Sequence, residues 1–192
     1  MSKLEIVLAS SSKIRRDIIS NYDVDVIFYN PKINEEQLKQ DNLNLNPRSL
    51  AALLAKSKAL SLAEKFSEKF ILGCDQICIF NDKIMSKPLN EDKAISNLKE
   101  LSGNTHTLFG AYCVTKGNEI IIEHQIECEM EMRSLTDSEI EEYVALDKPL
   151  ESCGAYKFEA NGFKLFKSVI GSLEAINGLP FADLKELIDA KI

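Results

Sequence analysis

One apolar stretch, residues 70–80, constrains the fold more than any other part of the chain. It has the length of a strand and carries large apolar side chains at consecutive positions, which is typical of a strand buried on both faces. Asp75 lies within it, although buried strands rarely hold an ionisable group. Asn81-Asp82 then predicts a hairpin turn, after which Lys87 can return beside the acid. The pattern indicates either a functional site or a buried ion pair.

The length and charge of the chain limit its class. Its 192 residues suffice for one sizeable core or for two small lobes that share a sheet, and we expect one α/β domain over residues 1–192. A formal net charge of −7 argues against a broad surface for nucleic acid polymers. No apolar run is long enough for a membrane helix, and residues 1–9 do not resemble a signal peptide. We therefore expect a cytoplasmic protein without a membrane partner.

The cysteines and histidines predict neither a disulfide framework nor a zinc site. The five cysteines lie mostly in apolar segments and form no CxxC motif, so we expect reduced thiols in the core. His106 and His124 are the only histidines, and neither pairs with cysteines at zinc-ligand spacing.

The N-terminal segment has the order strand, small-residue loop, helix. Residues 6–9 predict a short strand, three serines follow, and a helix begins near Lys13. Backbone N–H groups at a helix start can bind phosphate, and Arg15 adds positive charge nearby. Ser12 acting as an ordinary helix N-cap explains the same residues, so both interpretations stay open.

A second predicted strand, residues 25–29, leads into a loop that contains Glu35. Acidic side chains in such loops are often catalytic or metal-binding, and more often they are simply solvated. Residues 37–46 are polar and predict a mobile linker or the base of a lid.

One long, largely buried helix is predicted over residues 47–66. It carries Lys56 and Lys58 among apolar side chains. A lysine in such a setting usually extends to water, but it can also point at a bound anion. The periodicity does not distinguish between the two lysines.

Further helices and strands are predicted in the rest of the chain. They are a helix capped by Asn90, strands over residues 105–115 and 120–133, a helix opened by a capping box of Thr136 and Glu139, a strand-like stretch over residues 152–162, and a helix over residues 182–190. From residue 126 to residue 133, apolar and charged residues alternate, so one face of that strand should meet the core. The strand-like stretch contains Glu159, which can simply mark a strand end.

Eight short motifs follow one another along the chain: LASSSKIRR, AKSKA, GCDQ, SKP, LSGNTH, MRSLT, CGAYKFEANG and NGLP. In this order and spacing the sequence resembles the Maf family of nucleoside triphosphate pyrophosphatases over nearly its whole length. The resemblance implies an elongated mixed β-sheet flanked by helices, in two lobes with a nucleotide cleft between them, as in Ham1-like and inosine triphosphatase-like proteins. It also implies hydrolysis of a nucleoside triphosphate to the monophosphate and pyrophosphate, a divalent metal cofactor (Mg²⁺ or Mn²⁺) and a homodimer.

The resemblance assigns roles to individual residues. Asp75 matches the catalytic acid, which accepts a proton from water or holds the metal. Glu35 matches a second acidic position of the family, and the resemblance implies that it binds the same metal ion. Lys58 and Lys87 match lysines that bind triphosphate oxygens, and this match favours Lys58 over Lys56. The family's phosphate-binding loop corresponds to Ser10, Ser12 and Arg15.

Three positions, Ile14, Gln76 and Glu159, bear on the choice of base. The family branch that acts on 7-methylguanosine triphosphate tends to have an apolar residue, glutamine and glutamate there, whereas the dTTP and UTP branch tends to have arginine, threonine and glutamine. A carboxylate can accept both donors on the guanine edge, and N7 methylation makes that base cationic. The predicted substrate is 7-methyl-GTP. The alternatives are dTTP or UTP, and a nucleotide-binding regulator of septum formation with little turnover.

Overall fold

The structure is a computed structural model that describes residues 3–191, and it contains a mixed β-sheet with helices around it. In chain order the helices and strands are β1 (Glu5–Ala9), α1 (Lys13–Ile19), β2 (Asp25–Tyr29), α2 (Glu35–Asp41), α3 (Pro47–Leu60), β3 (Phe70–Phe80), β4 (Lys83–Met85), α4 (Glu91–Leu101), β5 (Thr105–Lys116), β6 (Glu119–Met132), α5 (Asp137–Asp147), β7 (Phe166–Ile170), α6 (Leu173–Ile176) and α7 (Phe181–Asp189). Two short 3₁₀ helices, Cys153–Ala155 and Gly162–Leu165, lie between α5 and β7.

The sheet has seven strands in the order β2-β1-β3-β5-β6-β7, with β4 paired to β3. Strand β1 is parallel to both of its neighbours, and Ala9 is paired with Tyr29 in β2 and with Gly73 in β3. The pairs β3-β4 and β6-β7 are antiparallel. The predicted mixed sheet flanked by helices is therefore confirmed.

The chain divides into two compact units. Of the described residues, the first contains 3–75, 110–126 and 173–191, and the second contains 76–109 and 127–172. Strands β3, β5 and β6 each contribute residues to both units. No helix within residues 3–191 combines the length and the apolar character that a membrane span requires.

The first unit has a hydrophobic core on each face of its sheet. In β1, Ile6 and Leu8 belong to one core, and Val7 and Ala9 belong to the other. The core around Ile6 also contains Ile19, Leu72, Val114, Phe181, Leu184 and Ile188, and the core around Val7 contains Ala59, Leu62, Ile71 and Cys113. Strand β1 is thus packed from both sides, as a continuous apolar run predicts.

The second unit is built on the packing of α4 against α5. Its buried residues include Ala94, Leu98, Leu101, Ile140, Tyr143 and Val144. In β6, Cys128 and Met130 are buried while Glu127 and Glu129 are exposed, so the predicted alternation is confirmed. Within residues 3–191 the cysteines form no disulfide, and Cys74, Cys78, Cys113 and Cys128 are buried, which agrees with the prediction of thiols in the core.

Several local predictions are confirmed because interactions within a few residues set them. Asn81 and Asp82 have φ angles of 49° and 59° and connect β3 to the antiparallel β4, as a two-residue hairpin turn requires. Thr136 and Glu139 form the predicted capping box of α5. Asn90 accepts a hydrogen bond from the N–H of Lys93 and caps α4.

The expectation of an irregular linker over residues 37–46 needs correction at residues 37–41, which belong to the helix α2, while the alternative of a lid base stays a prediction. Asn34 caps the helix by accepting a hydrogen bond from the N–H of Gln37 at 3.1 Å. Gln37 also donates to Asp41 at 2.8 Å, one helical turn later. None of the helix residues is buried, so the segment has no apolar periodicity by which a sequence could reveal it.

Two further predictions need correction. The helix predicted over residues 47–66 ends at Leu60, and Ser61 is its C-cap. The stretch over residues 152–162 is not a strand, and it forms a 3₁₀ helix followed by turns. Gly154 and Ala155 have φ angles of 73° and 60°, which an extended strand cannot accommodate. Glu159 consequently lies in an exposed turn.

The free energy of unfolding is expected to decrease as the pH falls, in part because of His106. Its side chain is 3% exposed, and burial lowers the pKa of the imidazole from 6.5 to about 4. Between these values the unfolded chain binds a proton that the folded chain does not, which costs about 3 kcal/mol of stability. Urea unfolding of the wild type and of His106→Gln at pH 7.5 and pH 4.5 measures this contribution. An equal pH dependence in both proteins would contradict it.

Candidate active site

Three parallel strands of the first unit position some of the predicted site residues, among them Ser10, Glu35 and Asp75. Strands β2, β1 and β3 are parallel, and their paired residues Tyr29, Ala9 and Gly73 lie side by side. Ser10 follows β1 directly, and Glu35 follows the loop after β2. Functional groups in parallel sheets commonly lie beyond the carboxyl ends of the strands, and this arrangement has that form.

Lys58, Asp75 and Glu35 form a charged cluster in the first unit. The Lys58 ammonium donates to Oδ1 of Asp75 at 2.8 Å and lies 3.2 Å from Oε2 of Glu35. The side chains of Lys58 and Asp75 are 9% and 11% exposed, whereas that of Glu35 is 41% exposed. The cluster is therefore a buried ion pair with a second carboxylate closer to solvent.

The structure identifies Lys58 as the lysine beside Asp75. Lys56 lies 3.9 Å from Glu123, with 39% of its side chain exposed. The helical periodicity left the two lysines equivalent, and the rotation of α3 about its axis places Lys58 beside Asp75, which is the lysine that the motif resemblance favoured.

Gly73 allows α3 to approach β3 closely enough for this contact. A Cβ atom at position 73 would lie 2.1 Å from the carbonyl oxygen of Ala55 and 2.7 Å from the nitrogen of Ala59. Any larger residue would push the helix away from the strand. Lys58 precedes Ala59, and Asp75 lies on the same face of β3 as Gly73. Gly73 and Ala59 are thus packing residues of the site that sequence reasoning missed, and the small residues of the motifs GCDQ and AKSKA were their signal.

The serine loop is held by its own hydrogen bonds. The N–H of Ser12 donates to Oγ of Ser10 at 3.2 Å, and the N–H of Arg15 donates to Oγ of Ser12 at 3.5 Å. Ser12 is therefore the N-cap of α1, and Ser10 is 5% exposed. Ile14 packs against the hydrophobic core on the Ile6 side of the sheet.

Arg15 connects three parts of the first unit. Its Nε donates to the carbonyl oxygen of Gly178 at 2.9 Å, and its Nη1 donates to the carbonyl oxygen of Cys74 at 3.1 Å. The second contact holds the backbone directly before Asp75. These bonds give Arg15 a structural role, and its contact with phosphate stays a prediction.

Cys74 is not suited to act as a nucleophile beside Asp75. The residue is fully buried, and burial raises the pKa of its thiol to about 11. At neutral pH the protonated thiol is a poor nucleophile. The reactive groups of the cluster are therefore its carboxylates and its ammonium.

The remaining predicted site residues, Lys87, Gln76 and Glu159, belong to the second unit. Lys87 lies 3.6 Å from Glu151 in an exposed ion pair. Gln76 is half-buried and follows Asp75 on β3, where consecutive side chains point to opposite faces. Glu159 is exposed, and no residue in the described part of the chain forms a hydrogen bond or an ion pair with its carboxylate.

The donor set at Asp75 and Glu35 is compatible with a divalent cation. Over residues 3–191 there is no group of three or more His, Cys, Asp or Glu side chains that could hold a metal. Mg²⁺ in phosphate-processing sites is commonly bound by one or two carboxylates, with substrate phosphates and water completing its shell. Asp75 and Glu35, which both contact the Lys58 ammonium, supply the two carboxylates that such a cation would need.

Comparison with known proteins gives a consistent result. The family model described as Maf-like protein matches residues 5–191. A nucleoside triphosphate pyrophosphatase from Legionella pneumophila strain Philadelphia 1 is 35% identical over 188 residues, which cover 97% of this chain and 94% of the relative. A 7-methyl-GTP pyrophosphatase from Bdellovibrio bacteriovorus is 35% identical over 190 residues, which cover 98% of each chain.

One further relative and one solved structure are also similar to this chain. A dTTP/UTP pyrophosphatase from Pyrococcus furiosus is 34% identical over 185 residues, which cover 96% of this chain and 94% of the relative. Among solved structures, the Ham1 protein of Staphylococcus aureus has a TM-score of 0.48 and 14% identity, and the match covers 98% of this chain and all of that protein.

Proposed function

The chain belongs to the Maf family, and from this premise we propose that it hydrolyses 7-methyl-GTP to the nucleoside monophosphate and pyrophosphate. Its relatives identify it as a nucleoside triphosphate pyrophosphatase, a hydrolase of phosphoric anhydrides. The buried contact of Lys58 with Asp75 and Glu35 is the observation that supports catalysis at this site.

In the proposed mechanism Asp75 is the general base. Lys58 contacts Oδ1, and we assign Oδ2 to the attacking water. Asp75 takes one proton from this water as the water oxygen bonds to the α-phosphorus. The bond from the α-phosphorus to its bridging oxygen breaks, and pyrophosphate leaves with the bonding electrons. The Lys58 ammonium offsets the negative charge that develops on the leaving group.

The negative charge of the triphosphate calls for positive charge beyond that of Lys58. We propose that Asp75 and Glu35 hold a divalent cation, Mg²⁺ or Mn²⁺, which neutralises phosphate charge when it is bound. Lys87 is proposed to bind triphosphate oxygens. Its ion pair with Glu151 is exposed, and exposed pairs contribute little free energy, so Lys87 can exchange this partner for phosphate at small cost.

The preference for a methylated guanine base rests on Glu159. The exposed carboxylate of Glu159 can accept hydrogen bonds from N1–H and the 2-amino group of guanine, and it attracts the cationic base. Uracil and thymine offer one N–H between two carbonyl groups, which a carboxylate repels. Overall identity does not choose a branch, because the relatives that act on 7-methyl-GTP and on dTTP or UTP are equally similar. The side chains Ile14, Gln76 and Glu159 favour 7-methyl-GTP.

Replacing Glu159 with glutamine tests this assignment. Glu159→Gln removes at least one charge-assisted hydrogen bond and the attraction to the cationic base. We expect kcat/KM for 7-methyl-GTP to fall about ten- to hundredfold relative to UTP and dTTP. Pyrophosphate release from these three nucleotides by both proteins gives the ratios.

Glu141→Gln, which changes an exposed glutamate of α5, is the matched control and should leave the ratios unchanged. Unchanged ratios in Glu159→Gln would remove Glu159 from base recognition. A wild type that releases no pyrophosphate from any nucleotide would favour the binding-only regulator.

A further inference from the structure

The turn that carries Glu159, residues 157–162, is tightly closed, and we call it the specificity turn. The N–H groups of Ala160 and Gly162 both donate to the carbonyl oxygen of Lys157, at 3.1 Å and 2.9 Å. A Cβ atom at position 162 would lie 2.4 Å from that oxygen, so glycine is needed for this close approach. The turn therefore presents Glu159 on a backbone with few alternative conformations.

Asp147, the last residue of α5, holds both ends of the specificity turn. Its Oδ2 accepts a hydrogen bond from the N–H of Asn161 at 2.9 Å, and its Oδ1 accepts one from Nδ2 of Asn161 at 2.8 Å. The carbonyl oxygen of Asp147 also accepts a hydrogen bond from the Lys157 ammonium at 2.7 Å. A single residue thus anchors the segments before and after Glu159.

A second residue of α5 contacts the same turn. Tyr143 lies one helical turn before Asp147, and its hydroxyl accepts a hydrogen bond from the N–H of Lys157 at 2.9 Å. Burial raises the pKa of the Tyr143 phenol, so the group stays neutral. At the other end of α5, the capping box of Thr136 and Glu139 fixes the first turn of the helix. Helix α5 therefore holds the turn through two of its residues, Tyr143 and Asp147.

We propose that Asp147 is a positioning residue for nucleotide selection, because it holds the specificity turn in the conformation that presents Glu159 to the base. This inference rests on the proposed function. A carboxylate that accepts two hydrogen bonds from a planar base edge must be held in place before binding. If the turn were mobile, ordering it on binding would cost free energy and weaken the binding of the nucleotide.

Asp147→Ala removes both oxygen atoms that accept hydrogen bonds from Asn161. Asp147→Asn restores one of these acceptors in a side chain of nearly the same volume. Asp147→Ala is expected to raise KM for 7-methyl-GTP about tenfold with kcat within about twofold, and to change KM for UTP much less. Asp147→Asn should recover part of the loss, because its NH₂ group faces one of the two donors of Asn161 and only one hydrogen bond is restored. Asn161→Ala, which keeps the backbone N–H bond to Asp147, should have a smaller effect in the same direction and serves if Asp147→Ala does not fold.

The control is Glu141→Ala, an exposed carboxylate of the same helix, for which no change in either KM is expected. Thermal unfolding of each variant separates loss of folded protein from loss of selection. A purely structural role predicts equal losses of rate on all nucleotides. Equal losses, or an unchanged KM in both Asp147→Ala and Asn161→Ala, would overturn the proposal.

Combining variants separates this inference from the proposed function. If Asp147 acts through Glu159, then Asp147→Ala in a Glu159→Gln background should leave the nucleotide ratio unchanged. If Glu159→Gln alone has no effect while Asp147→Ala changes the ratio, the assignment of Glu159 fails and the turn selects nucleotides through another residue. If only Glu159→Gln changes the ratio, the positioning role of Asp147 fails and the proposed function stands.

Discussion

Asp75→Asn is expected to lower kcat for pyrophosphate release by about two orders of magnitude or more while the protein stays folded. The amide has nearly the same shape as the carboxylate and can still accept a hydrogen bond from Lys58, but it cannot take the proton from water. The fold should persist because Lys58 keeps Glu35, at 3.2 Å, as a counterion. Steady-state release of pyrophosphate at saturating nucleotide, together with thermal unfolding, measures both quantities.

Glu35→Gln is the companion variant. Glu35 is more exposed than Asp75 and contacts the same ammonium, so its replacement should reduce turnover without abolishing folding.

Near-normal turnover in Asp75→Asn would exclude Asp75 from proton transfer. The pair of Asp75 and Lys58 would then be a structural ion pair, which is the other interpretation that the sequence allows.

Lys58→Met is expected to affect both activity and stability. Without the ammonium, Asp75 and Glu35 lose their shared counterion, and two adjacent carboxylates repel a triphosphate. We expect kcat/KM to fall about a hundredfold. Removing one partner of a buried ion pair typically costs about 3–5 kcal/mol of stability. Pyrophosphate release and urea unfolding measure the two effects.

Lys56→Met is the matched control for this prediction, because Lys56 lies in the same helix with 39% of its side chain exposed. Its replacement should change stability by no more than about 0.5 kcal/mol and should leave turnover near normal. The wild type should also bind the triphosphate more tightly than the monophosphate. Equal affinities for the two nucleotides would contradict the phosphate contact assigned to Lys58.

Elements with strong local signals could be predicted from the sequence. The hairpin at Asn81-Asp82 and the capping box of Thr136 and Glu139 depend on residues no more than three positions apart. Helix α2 has a capping residue, Asn34, but no apolar periodicity, because Leu38 is its only apolar residue and none of its residues is buried. The 3₁₀ helix at Cys153–Ala155 was mistaken for a strand because its apolar and small residues also suit one.

The sequence by itself determined that an acid stands in a buried strand, that lysines lie in an apolar helix, and that eight motifs follow one family order. Those features are properties of composition and spacing. The motif order favoured Lys58 over Lys56, but the sequence could not determine that Lys58 contacts Asp75, or that Asp147 holds the turn around Glu159. Both contacts join residues far apart in the chain. The first depends on how closely α3 packs on β3 at Gly73, and the second on how the turn folds back on the end of α5. Close packing and long-range hydrogen bonds of this kind exist only in the folded chain, so the tertiary structure decided them.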